Sequence, residues 1–125
     1  MSNIINTPNA PDAIGPYSQG VKTGSFVYTS GQLPIDMKTG ALETKDIQKA
    51  ARHCLDNVKA ILEEGGLALA NVVKVTVFMT NLGDFAAMNE AYAAYFPENP
   101  PARSCVQVAA LPKAAAIEIE AVASL

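Results

Sequence analysis

The stretch NVVKVTVFMTN (Asn71–Asn81) decides the fold. Its residues are β-branched or apolar, without Gly or Pro, and side chains alternate in direction along a strand. Val73, Val75, Val77 and Met79 then share one wholly apolar face. Val72, Lys74, Thr76, Phe78 and Thr80 share the other, which is mixed rather than freely solvated. A strand with apolar residues on both faces needs cover on both.

Upstream, TKDIQKAARHCLDNVKAILEEGG (44–66) repeats at helical spacing. Ile47, Ala50, Ala51, Cys54, Leu55, Val58, Ile61 and Leu62 fall on one stripe. Thr44 or Asp46 can cap its start, and Gly65-Gly66 can end it. Downstream, DFAAMNEAYAAYF (84–96) predicts a second helix capped by Asp84, with Phe85, Met88, Tyr92 and Tyr95 on one stripe. Pro97, Pro100 and Pro101 break the chain before two further strands, ARSCVQVAAL and AAAIEIEAVAS. Ahead of the first helix, QGVKTGSFVYTSGQLP reads as a hairpin turning at Thr23-Gly24. The first 20 residues read as irregular, with room for one short edge strand. The order is β-β-α-β-α-β-β, an α+β layer with two helices on one sheet face. A second copy of the sheet is the simplest cover for the other face.

The chain has 125 residues, which fits one domain over 1–125. Half of them are apolar and 17% are charged, against about 25% in ordinary soluble domains, which favours an oligomer. Net charge is −3, so no basic face is offered to nucleic acid. No apolar run reaches the ~18 residues of a membrane span, and the N-terminus lacks the pattern of a signal peptide. Two cysteines and one histidine, without metal-ligand spacing, predict no metal site and a reduced, cytoplasmic protein.

Alternation within ARSCVQV puts Arg103, Cys105 and Gln107 on one face and Ser104, Val106 and Val108 on the other. The apolar Val106 and Val108 suit the helices, which would leave Arg103 and Cys105 on the open face. If the last two strands pair, Arg103 and Glu118 approach each other. The pair is then a structural ion pair or a site in which Arg103 grips a carboxylate and Glu118 accepts a proton from water. Cysteine catalysis wants a nearby base, and the only histidine, His53, falls on the polar side of the first helix as a solvated residue. Cys54, inside the stripe, belongs to the core.

Taken together, IGPYSQG, SGQLP, NVKAILEEGG, VVKVTVFMTNLGDFAAMNEAYAAYF, PPARSCVQVAALP and IEIEAVA resemble the RidA (YjgF) family of reactive-intermediate deaminases, from about Ile14 to Val122. The resemblance implies a chorismate-mutase-like mixed sheet with two helices on one face. It implies a homotrimer joined through its sheets around a barrel-like centre, with clefts between subunits. The implied activity is hydrolysis of 2-imino acids, or their enamines, to 2-oxo acids and ammonia, without metal or organic cofactor. Arg103 would grip the substrate carboxylate, Cys105 would line the pocket and Glu118 would position or deprotonate water. Tyr17 would close the pocket, while Ser30, Gly31 and Asn89 would contact substrate. The alternatives are a keto-acid-binding regulatory or chaperone-like trimer and, against the acidic charge, an endoribonuclease.

Overall fold

The computed structural model describes residues 3–125. Six strands form one sheet: β1 (Ile4–Ile5), β2 (Gly20–Thr23), β3 (Phe26–Thr29), β4 (Val72–Met79), β5 (Ala102–Gln107) and β6 (Ile117–Ser124). Their spatial order is β1-β2-β3-β6-β4-β5. Only β4 and β5 are parallel. Parallel neighbours need a crossover, and here it carries α2 (Phe85–Ala93). The first helix, α1 (Ile47–Glu64), joins the two halves of the sheet. The expected α+β layer and element order are present, and the edge strand is β1.

The helical stripe read in the sequence is what α1 buries. Ala51, Cys54, Leu55, Val58, Ile61 and Leu62 are fully enclosed against Val27, Val75, Val77, Met79, Ile117 and Ile119 of the sheet. Each buried Leu, Ile or Val side chain contributes about 1.5–3 kcal/mol. Asp46 caps the helix, accepting from the N–H groups of Gln48 (2.9 Å) and Lys49 (3.2 Å). At the other end, Gly66 takes φ +85° and the Leu67 N–H reaches back to the Leu62 carbonyl at 2.9 Å. α2 is shorter than its sequence pattern. It buries Met88 and Tyr92, while Tyr95 lies beyond its end. Asp84 precedes α2 but makes no capping hydrogen bond; Asn81 instead accepts from the Gly83 N–H at 2.8 Å.

Four expectations are corrected. Pairing of β4 with β6 slips between Val72 and Lys74, so Val73 is the extra residue of a bulge. Alternation reverses there: Val72 is buried and Val73 is exposed. Second, β5 and β6 do not pair, because β4 lies between them. Third, β5 faces the other way. Arg103 and Cys105 pair with the buried Val75 and Val77, so they point to the helix side, and Val106 is 43% exposed on the open face. His53 is half-buried, with Nε2 3.9 Å from Asp36 Oδ2, rather than free in solvent.

The open face stays apolar in part. Val21 pairs with Tyr28, and both, with Phe26 and Val106, are exposed. No helix among the described residues is long and apolar enough to cross a membrane.

Candidate active site

The residues singled out in the sequence fall into two groups on opposite sides of the sheet. The first gathers on the helix side at β5 and α2. The Arg103 Nη1 donates to Asn89 Oδ1 at 2.7 Å. The guanidinium lies over two rings of the same helix, 4.6 Å from the Tyr92 centroid and 5.4 Å from that of Phe85. No carboxylate pairs with it: among the described residues the one charged contact within 4.0 Å is His53 with Asp36. A half-buried cation with most of its N–H groups unused is unusual unless it awaits an anion.

Tyr92 is 5% exposed, and its hydroxyl has no hydrogen-bond partner. Burial pushes this phenol up. Arg103 opposes that shift both through its charge and through a guanidinium N–H directed toward the hydroxyl, a contact short of full hydrogen-bond geometry, so the cation meets the ring first and the oxygen second. Cys105 packs its Sγ 3.7 Å from Met79 Sδ. Burial pushes its thiol up as well, with Arg103 opposing, so Cys105 stays protonated at neutral pH. The protonated thiol packs as a small apolar group beside Arg103 and does not supply a thiolate.

The second group lies around the N-terminal loop and β6. Glu118 pairs with Phe78, not Val77, so it points to the open face, away from Arg103. The Gln32 N–H donates to the Ile119 carbonyl at 2.7 Å, and the Ile119 N–H returns a bond to Gln32 at 3.1 Å. That bridge lays Gly31 directly against the Glu118 side chain. Burial, and secondly the charge of Glu120, raise the Glu118 carboxyl above its ordinary range. Ser30 ties this segment to the preceding loop. Its Oγ donates to the Ser18 carbonyl at 2.6 Å and its N–H to Gln19 at 2.8 Å. Tyr17, half-exposed, stands on that loop. A cleft of about 250 Å³ lies between Ile14, Tyr17, Gly31, Gln32 and Lys113.

The structure therefore unites Arg103, Asn89 and Cys105, and separately Tyr17, Ser30, Gly31 and Glu118. It does not bring Arg103 to Glu118 within one chain. Sequence reasoning missed three neighbours. In the sequence Phe85 and Tyr92 read only as part of a helical stripe, yet with Asn89 they occupy i, i+4 and i+7 of one helix face, a spacing that could have marked the platform. Lys113, at φ +59°, carried no sequence signal beyond its place after Pro112.

The family model described as Endoribonuclease L-PSP matches residues 7–125. A 2-iminobutanoate/2-iminopropanoate deaminase of Salmonella typhimurium is 56% identical over 126 residues, covering 98% of each chain. The chain belongs to the RidA/YjgF family. Solved members superpose closely. Escherichia coli TdcF with bound serine gives a TM-score of 0.93 at 51% identity, and the YjgF gene product of the same organism 0.94 at 52%, each covering 98% of both chains. The mixed sheet with two helices is thus the fold of RidA/YjgF structures, and the resemblance seen in the sequence is borne out over nearly the whole chain.

Proposed function

We propose that this chain is a deaminase of 2-imino acids, 2-iminobutanoate and 2-iminopropanoate, whose active site forms between adjacent copies. The observation that carries this reading is the Arg103 guanidinium: half-buried, held by Asn89, and without a carboxylate of its own. A planar fork of this kind takes a substrate carboxylate bidentately. Close relatives bearing the deaminase name support the reaction class, and TdcF, with its bound serine, supports an α-carboxylate ligand.

Arg103 and Glu118 lie on opposite faces of one sheet. For both to meet one substrate, two copies must contribute. The exposed Val21, Phe26, Tyr28 and Val106 give the open face the apolar character that such an assembly would bury. We therefore read the protein as a homotrimer joined around a barrel-like centre, each copy one domain over 1–125. Its two free cysteines suit a reducing, cytoplasmic setting.

In the cleft, Arg103 and Asn89 of one copy hold the carboxylate and fix the imine carbon. Tyr17, Ser30 and Gly31 of the adjacent copy close the opposite wall. Glu118 of that copy takes a proton from water as its oxygen bonds to the protonated imine carbon, giving a carbinolamine. Glu118 then passes that proton to nitrogen. The C–N bond breaks as the ionised Glu118 takes the hydroxyl proton, so that the C=O of the 2-oxo acid forms and ammonia leaves; the proton is finally lost to the ammonia or to water. A carboxyl raised above its ordinary range is suited to this exchange near neutral pH. The steps need neither metal nor organic cofactor. The net charge of −3 gives no support to an RNA substrate.

The test is a coupled assay in which a threonine dehydratase supplies 2-iminobutanoate in the presence of a trapping amine. Wild-type protein should speed release of 2-oxobutanoate, and Arg103→Ala should not. A folded wild type without effect would leave the carboxylate-binding module as the reading.

A further inference from the structure

On α2, Phe85, Asn89 and Tyr92 succeed one another at i, i+4 and i+7, so they share one helix face. Arg103, arriving from β5, lies across all three: Tyr92 at 4.6 Å, Phe85 at 5.4 Å, and Asn89 through one hydrogen bond. One hydrogen bond alone leaves a guanidinium free to rotate about its long side chain. A ring beneath it restricts the tilt of its plane, which a flexible arginine otherwise loses as rotamer entropy on binding. Tyr92 is well placed for this. It is 5% exposed and its ring packs 4.9 Å from that of Phe96, so it cannot swing away. Its hydroxyl has no partner of good hydrogen-bond geometry, so the ring face 4.6 Å from the guanidinium carbon is the main contact.

We propose that Tyr92, assisted by Phe85, is the positioning residue that fixes the plane of the Arg103 guanidinium, so that its free N–H edge meets a ligand carboxylate ready aligned. Tyr92 does not itself touch the substrate. This inference rests on Arg103 being the carboxylate anchor. It follows that a lysine at 103 should not serve, since an ammonium has charge but no plane to align.

The experiment is titration calorimetry of 2-oxobutanoate, a stable carboxylate ligand, against the assembled full-length protein. Variants are Arg103→Lys, Tyr92→Leu, Tyr92→Phe, Phe85→Leu and the double variants with Arg103→Lys. Tyr92→Leu should weaken binding about tenfold and Phe85→Leu about threefold, in keeping with one closer and one more distant cation–ring contact. Tyr92→Phe keeps the ring and should restore binding to within about threefold of wild type. In the Tyr92→Leu background, Arg103→Lys should cost far less than it costs alone, because the aligned plane is already lost. Additive effects, or wild-type binding by Tyr92→Leu while Arg103→Lys is impaired, would overturn the positioning role and leave the anchor standing. Wild-type binding by Arg103→Lys would remove the anchor and this inference with it. Should Tyr92→Leu fail to fold, the same cycle run with Phe85→Leu, a ring one-third exposed, decides the question by its additivity.

Discussion

Gly31 lies so close to Glu118 that a Cβ built on the glycine would stand 2.6 Å from the carboxylate Oε2 and 2.8 Å from Cδ. The absence of a side chain at 31 is what lets the carboxylate rest there. In Gly31→Ala the flexible end of Glu118 must swing away, while the backbone at 31 can stay as it is. The variant should melt close to wild type yet lose on the order of tenfold to a hundredfold in deaminase turnover, since a displacement of about 1 Å suffices for such a loss. Steady-state assay beside a thermal melt checks this. Full activity would mean that the resting position of Glu118 does not matter.

In the proposed mechanism Glu118 sets the pH dependence. Burial and the neighbouring Glu120 raise its carboxyl above 4.5, so the folded protein holds this proton more tightly than the unfolded chain. Such a group favours the folded state at low pH, and that contribution is lost as pH rises through its folded value. At neutral pH the ionised carboxylate is therefore a small liability. Glu118→Gln should melt at or above the wild-type temperature at pH 7, and the advantage should vanish below pH 4.5. Its activity should collapse, and the acid limb of the wild-type rate profile, centred above pH 4.5, should disappear with it. A variant that melts lower at pH 7 than at pH 4, relative to wild type, would contradict the assigned direction.

Gln19 holds the loop that carries Tyr17. Its buried amide accepts from the Thr7 N–H at 2.6 Å and donates to the carbonyls of Thr7 (3.0 Å), Ala10 (3.2 Å) and Pro11 (2.8 Å). Gln19→Met keeps the shape and strands those backbone groups. The expected cost is about 2–4 kcal/mol in denaturant unfolding, with faster amide exchange across residues 7–17. Unchanged exchange there would show that the segment is held by something other than this side chain.

The sequence made α1 legible almost residue by residue, because a stripe at 3.6-residue spacing with a cap and a terminal Gly leaves little choice. The enclosed Cys54 followed from the same pattern. The orientation of β5 was not legible. Period-two alternation says that Arg103 and Cys105 share a face, not which face the helices cover. Val106 looked like the better core residue, yet Arg103 turns to the helices because α2 offers it two rings and an amide. Strand order is equally silent in local pattern: nothing in ARSCVQV or IEIEA says that β4 lies between them. The bulge at Val73 was hidden by its neighbour, since Val-Val supplies an apolar residue to either register. Arg103, Cys105 and Glu118 stood out by residue type and alternation; Tyr17, Ser30, Gly31 and Asn89 came only from the family resemblance, and the division of all seven into two groups comes only from the fold.

Asp46 provides a control away from the cleft. Asp46→Ala removes the acceptor for two N–H groups at the start of α1. It should lower stability by about 1 kcal/mol and leave turnover at 25 °C unchanged. Loss of activity in a folded Asp46→Ala protein would tie the helix start to the site.

In the proposed assembly Arg103 and Glu118 act together from different copies of the chain. Mixing tests this. Arg103→Ala and Glu118→Gln are each prepared as inactive, folded assemblies, then unfolded together in equal amounts and refolded. If each cleft takes its arginine from one copy and its glutamate from the next, about a quarter of the clefts regain both groups, and activity returns to about a quarter of wild type. If the mixture refolds into mixed assemblies and stays inactive, both groups serve from a single copy, and the shared cleft is wrong.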